Sequence, residues 1–222
     1  MKIMGAIFDC DGTLIDSLGF WELFYKRIGE LYFGGKEFFP DPEDDRTMRT
    51  QNIAFLAHLM HEKYGIAESA DEIANLCVHF FEWYYGEIVE LKPGARELLS
   101  HLAGKGIKMC IASAAEKVLI ELVLSRHDVL KYFDGIISCS DIGAGKDRPD
   151  VFLAAEKFLG TSHGETFVFE DSLLAIRTAK NAGFPVVGIY DALSFGQDAA
   201  RELCDVYIEN GGSFAELIPL IP

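Results

Sequence analysis

The chain has 222 residues, half of them hydrophobic, and its acidic side chains outnumber basic ones 35 to 20 for a formal charge of −15. That composition excludes a disordered chain, and a fold-wide negative field argues against nucleic acid and anionic membranes as partners. The five cysteines, mostly set in apolar runs, suit buried thiols in a reducing compartment better than disulfides or a zinc site.

The first element is an apolar run, Ile3 to Phe8, long enough for a strand buried on both faces and too short for a buried helix. It stops on Asp9 and Asp11, followed by Gly12, which allows a sharp turn. One lysine and an apolar run cut short at Asp9 do not make a signal peptide. No run approaches membrane-spanning length, so a cytoplasmic protein is expected. Two carboxylates at the end of a buried strand are costly unless a metal ion or cationic ligand offsets them. A polar turn is one reading of Asp-x-Asp-Gly-Thr. A calcium loop is another, and it fails at Thr13, Leu14 and Phe20, where a ligand, a glycine and a glutamate are needed. The third is a carboxylate nucleophile, Asp9, beside a general acid and base, Asp11.

From Leu18 the pattern turns helical. Helices are expected over Leu18–Leu31, Arg46–Tyr64 and Ser69–Glu90, with a loop over Phe33–Asp45 that ends in an acidic run. Ser69 and Glu72 fit a capping box. The aromatic residues Phe80, Phe81, Trp83, Tyr84 and Tyr85 cover too much of one helix for a ligand cage and suggest packing. Residues 18–90 thus form an all-helical block. After Lys92-Pro93-Gly94, helices and strands alternate through Ile208, the signature of a parallel sheet with crossover helices. The expected strands are Ile107–Ala112, Gly135–Ser138, Thr166–Phe169, Val186–Ile189 and Val206–Ile208. Residues 1–17 and 91–222 then form one α/β domain, and 18–90 is a helical insertion.

Ligands of open α/β sheets bind at the carboxyl ends of the strands. Asp9 and Asp11 stand there after the first strand, and Ser113 with Ala114 after the second. Lys146 follows the third, and Glu170 with Asp171 the fourth. Taken singly, Ser113 reads as a helix N-cap, Lys146 as a surface lysine and Glu170-Asp171 as a helix-start pair. Gly145-Lys146 is not a Walker loop, because the upstream glycine and the following Ser or Thr are missing. Taken together, these groups make a magnesium-phosphate site.

The stretches Phe8-Asp9-Cys10-Asp11-Gly12-Thr13, Ile111-Ala112-Ser113, Gly145-Lys146 with Pro149, and Phe169-Glu170-Asp171-Ser172 resemble, in order and spacing, the haloacid dehalogenase (HAD) superfamily. The resemblance is to its phosphatase and β-phosphoglucomutase-like branch, and covers roughly residues 3–17 and 92–210. It implies a Rossmann-like open parallel sheet with 18–90 as an inserted helical cap domain. It also implies a Mg²⁺-dependent phosphatase of a small phosphorylated metabolite. Asp9 would form an aspartyl-phosphate, and Asp11 would act as general acid and base. Ser113, Ala114 and Lys146 would bind phosphate, while Asp9, Asp11, Glu170 and Asp171 would form the metal site.

Within the branch, mutases carry a histidine early in the first cap helix, whose place here falls at or beside Trp21. Hydrolysis is therefore expected over a β-phosphoglucomutase-like transfer, and both over a non-catalytic binding module. Arg46 and Arg49 are the candidate cap contacts to substrate. The sequence indicates neither the particular metabolite nor an oligomeric state.

Overall fold

The computed structural model describes residues 2–49 and 52–221. The chain divides into two compact units, Met1–Leu18 with Val89–Pro222, and Gly19–Ile88. Strand β1 (Gly5–Phe8) opens the larger unit. The smaller unit holds α1 (Phe20–Tyr32), α2 (Pro42–Met48), α3 (Ile53–Tyr64) and α4 (Ala70–Trp83). The larger unit resumes with α5 (Ala95–Gly104), β2 (Lys108–Ser113), α6 (Lys117–Arg126) and β3 (Gly135–Ser138). It continues through α7 (Cys139–Ile142), α8 (Asp150–Leu159), β4 (Thr166–Glu170) and α9 (Leu173–Asn181). It ends with β5 (Val186–Ile189), α10 (Gln197–Leu203) and β6 (Val206–Ile208).

The six strands form one sheet in the order β3-β2-β1-β4-β5-β6, and every neighbouring pair is parallel. Chain order runs outward from β1 in one direction and then, from β4, in the other, so the sheet switches direction at β1. The crevice above that switch is where such sheets bind ligands. All four residues of β1 are buried, as both neighbouring strands and helices on both faces require. Phe8 stacks on its register partner Phe169 of β4 with ring centroids 4.2 Å apart, and meets Phe133 edge-on at 5.9 Å. Ile7, Cys110, Ala112, Phe152, Ile176 and Phe184 contribute to the buried core. The five cysteines are free thiols, four of them buried and Cys204 half-buried.

The smaller unit departs from its expected helices in three places. The expected helix Arg46–Tyr64 is two helices. The second starts at Asn52, whose side chain accepts the Phe55 N–H at 2.9 Å. Residues 50 and 51, inside that expected helix, lie outside the described residues. The first begins earlier than expected, at Pro42, with Glu43, Asp44 and Asp45 in its opening turn, where the helix dipole favours acids. Ser69 caps α4 by accepting the Glu72 N–H at 3.3 Å, but the Glu72 carboxylate accepts the Glu68 N–H instead of closing the box on Ser69. Finally, α4 widens into a π-helical turn at Tyr84–Ile88. Phe20 stacks on Phe81 at 3.8 Å and lies edge-on to Phe80 and Tyr84, so the aromatic cluster is packing. Trp83 alone among its members is 44 % exposed.

Gly94 caps the start of α5 with φ +75°. A β-carbon there would lie 2.2 Å from Ser213 Oγ and 2.6 Å from the Ala215 amide nitrogen, while the Phe214 N–H donates to the Pro93 carbonyl at 2.9 Å. Gly94→Ala should therefore destabilise the protein by about 1–3 kcal/mol, read as a lower urea midpoint. An unchanged midpoint would show that residues 213–215 move aside at no cost.

Candidate active site

The buried strand β1 delivers Asp9 to the sheet's switch point, where the Asp9 N–H donates to the Phe169 carbonyl at 2.9 Å. The chain then turns tightly. The Gly12 N–H donates to the Ile15 carbonyl at 3.0 Å, and the Leu14 N–H to the Cys10 carbonyl at 2.9 Å. Gly12 sits at φ +76°, and a β-carbon on it would lie 2.7 Å from Asp171 Oδ2. Glycine is thus required twice, for the backbone and for the carboxylate beside it. Asp11 Oδ1 accepts a 2.6 Å bond from the Ser17 hydroxyl, which fixes the side chain on the same turn.

From β4 come Glu170 and Asp171, both buried. Carboxylate oxygens of Asp9, Glu170 and Asp171 all lie within 4.8 Å of one another. Lys146, from the loop between α7 and α8, donates to Asp9 Oδ1 and, at 2.6 Å, to Glu170 Oε1. Glu170 Oε2 accepts the N–H groups of Asp171 and Ser172, each at 2.9 Å. Both Glu170 oxygens are thus engaged within the chain. Asp171 Oδ1 accepts the Thr13 hydroxyl at 2.8 Å, and Oδ2 accepts the Ser194 hydroxyl.

Burial works against the Lys146 charge, but Asp9 and Glu170 outweigh it and its pKa is raised. Burial, partly offset by Lys146 and reinforced by Asp9, lifts Glu170 to about 7. Burial, then Glu170 and Asp9, push Asp171 well above the ordinary carboxylate range. Three carboxylates against one ammonium leave two formal negative charges in a water-poor site, the deficit that a divalent cation offsets. The donor set, all carboxylate oxygen, suits a hard ion such as Mg²⁺ or Ca²⁺. Cys10, between the two aspartates, is fully buried. Burial, with Asp11 and Asp9 alongside, raises its thiol pKa well above normal.

Ser113 ends β2, buried, and its hydroxyl accepts the Ala115 N–H at 3.1 Å. It is not the expected N-cap, since α6 starts at Lys117 behind Glu116. Ala114 follows it at the exposed start of the β2–α6 connection. The structure therefore gathers Asp9, Glu170 and Asp171, bonds Lys146 to the first two, and sets Asp11 on the same turn as Asp9. Ser113 and Ala114 stand at the carboxyl end of the adjoining strand. Arg148, beyond Lys146, is turned away into a surface pair with Asp150 at 3.0 Å.

Sequence reasoning missed Thr13, Ser17 and Ser194 as partners of the acids. Thr13 and Ser17 lay in the motif without assigned roles. Ser194 follows β5, whose carboxyl end carries Asp191, and a polar residue at a strand end was the available signal. Asp191 pairs at 2.6 Å with Lys92, both nearly buried.

Residues 3–183 match the family model for haloacid dehalogenase-like hydrolases. A phosphorylated carbohydrates phosphatase of Thermotoga maritima is 29 % identical over 193 residues, covering 86 % of this chain and 88 % of that protein. A phosphoglycolate phosphatase of Salmonella typhi is 27 % identical over 238 residues, covering 99 % and 93 %. A crystal structure from Thermotoga maritima, named "putative beta-phosphoglucomutase", superposes with a TM-score of 0.79 at 25 % identity, over 97 % of this chain and 96 % of that one. The matched span runs from the strand that delivers Asp9 past the Glu170–Asp171 pair and through α9, and on that match the chain belongs to the haloacid dehalogenase-like hydrolase family.

Proposed function

We propose that the chain is a Mg²⁺-dependent phosphatase that hydrolyses a small phosphorylated metabolite through an aspartyl-phosphate on Asp9. The observation that carries this reading is the mutual approach of Asp9, Glu170 and Asp171 within 4.8 Å, all buried, with the Lys146 ammonium paired to Asp9 and Glu170. Two phosphatase relatives that align along most of the chain support it.

In this mechanism the Asp9 carboxylate attacks phosphorus. Asp11 gives its proton to the departing ester oxygen, and then takes one from the water that attacks the aspartyl-phosphate. Ser17, bonded to Asp11 at 2.6 Å, keeps that carboxyl in place for both transfers. Lys146, the Ser113 hydroxyl and the Ala114 N–H hold phosphoryl oxygens, whose charge is spread in the transition state. Asp9, Asp171 and the Asp11 carbonyl would hold Mg²⁺, with Glu170 supporting, and the bound ion supplies positive charge to the phosphoryl group. The helical unit Gly19–Ile88 serves as the cap that selects the substrate. No helix of the described residues is long and apolar enough to cross a membrane, and a reducing cytoplasm suits the five free thiols.

The competing reading is a β-phosphoglucomutase-like transfer, favoured by the structural likeness described above. Trp21 argues against it. Its ring lies edge-on to Phe20 at 5.2 Å and carries the Arg49 guanidinium 5.6 Å from its centroid. An indole has one donor and no acceptor, so it cannot relay a proton as imidazole does. Arg49 is itself bonded to Asp45 at 2.8 Å.

Asp9→Asn should abolish phosphatase turnover with a panel of phosphometabolites while leaving the circular dichroism spectrum and melting temperature close to wild type. EDTA should do the same, reversibly on adding Mg²⁺. Full activity in either case would overturn the mechanism.

The raised acids also give the metal-free protein a pH signature. With Glu170 moved from 4.5 to about 7, the folded state binds the extra proton between those values, so its relative stability is greatest below about 4.5 and is lost as pH rises through 7. The melting temperature in chelator should fall from pH 5 to pH 8, and Glu170→Gln should flatten that fall. A melting temperature that climbs steadily across the range would contradict it.

Given β-glucose 1-phosphate, a trace of the bisphosphate and Mg²⁺, the protein should not support sustained formation of glucose 6-phosphate. Multiple turnovers to glucose 6-phosphate with little free phosphate would favour the mutase.

A further inference from the structure

We infer that Ser194, fixed by Gln197 and Tyr207, is a positioning residue for Asp171 that sets the protein's affinity for its divalent cation. The inference rests on the metal reading above and deepens it. Asp171 is buried and contributes to the three-carboxylate cluster. Its two oxygens are held by two hydroxyls from opposite ends of the chain, Thr13 at 2.8 Å on Oδ1 and Ser194 on Oδ2. A carboxylate oxygen has two lone-pair directions, so one hydroxyl on each leaves a direction on each for an ion. The hydroxyls then decide which way those directions point. A carboxylate anchored at one oxygen alone can still swing about χ2, whereas one anchored at both cannot.

The segment that presents Ser194 is itself fixed from several sides. Gln197 Nε2 donates to the Asp171 carbonyl and to the Ser194 carbonyl, each at 3.2 Å, tying the backbones of ligand and partner together. The Tyr207 hydroxyl donates to Gln197 Oε1, which orients that amide. At the base of the loop the Ser194 N–H donates to the Asp191 carbonyl at 3.2 Å. The Asp191 carboxylate in turn accepts the Leu193 N–H at 2.8 Å and the Lys92 ammonium at 2.6 Å. Lys92 also donates to the Tyr190 carbonyl at 3.1 Å. Gly196, at φ +74°, would bring a β-carbon within 2.6 Å of Leu173 on α9, so the loop packs onto the helix that follows Asp171. Ser194, Gln197 and Tyr207 all lie beyond residue 183, where the family match ends.

Outer partners of a metal-binding carboxylate typically change metal affinity ten- to a hundredfold when removed. The test is calorimetric titration of Mg²⁺ into the full-length protein and into Ser194→Ala, Ser194→Thr and Gln197→Ala, with no substrate present. Ser194→Ala should raise the Mg²⁺ dissociation constant about tenfold, with its melting temperature in chelator close to wild type. Ser194→Thr keeps the hydroxyl and should recover most of the affinity. Gln197→Ala should weaken binding in the same direction by a smaller factor. Mg²⁺ binding by Ser194→Ala equal to wild type would overturn the inference while leaving the metal reading intact. Absence of Mg²⁺ binding by the wild-type protein would overturn both. A threonine variant as weak as the alanine variant would also count against it, since the effect would then be one of packing.

Discussion

Three buried carboxylates gathered within 4.8 Å, two of them paired to the Lys146 ammonium, are the constraint on which the rest of the site depends. Each would be costly alone, and together they repel one another in surroundings that screen poorly. The chain accepts them only because rigid elements leave them nowhere else to go. Asp9 is fixed by a strand buried on both faces, and Glu170 by the neighbouring strand and by two backbone N–H groups. Gly12 then brings the turn after β1 against the Asp171 carboxylate, at a distance that tolerates no side chain. The misfit is local and electrostatic, and it is resolved by taking up either protons or a cation. The same arrangement therefore explains both the raised pKa values and the fitness of the site for a hard ion.

The two charge scales of the molecule work against each other. At long range a formal charge of −15 repels a phosphate, and at physiological ionic strength that repulsion is screened within about 8 Å. At short range the strand ends gather hydroxyl, amide and ammonium donors around the switch point. Recognition of an anion here depends on contact geometry and gains nothing from steering. Lys146 is already bonded to Asp9 and Glu170, so in the proposed mechanism its hold on a phosphoryl oxygen would share a charge that also orders the acids.

Much of the core was legible because its signals are local and repeated. Short apolar runs ended in polar residues, and those residues belong where an α/β sheet binds ligands. That the sheet is parallel followed from helices and strands alternating. In the helical unit the signals were weaker. An apolar periodicity running from Arg46 to Tyr64 concealed the end of one helix at Met48 and the start of the next at Ile53, and Asn52's capping role shows only once that start is known. The acidic run at 43–45 reads equally as loop or as first turn, and only Pro42 at the helix start decides it. The π-helical turn after Trp83 leaves no mark in periodicity at all. Ser194 was illegible for another reason. Its partner lies 23 residues away, and no motif spacing links a loop hydroxyl to a carboxylate at the end of the preceding strand.

Cys10 has a consequence of its own. A thiol between the carboxylates of a candidate site is ordinarily a weak point, because peroxide attacks the thiolate and the sulfenic acid that results is larger and polar. Here the side chain is fully enclosed, and burial together with the flanking aspartates keeps it protonated. The acids that define the site thus also quench the nucleophilicity of the sulfur between them. Oxidants and alkylating reagents should spend themselves first on Cys204, the only one of the five thiols that is not buried, and leave the turn that bears Asp9 and Asp11 chemically intact.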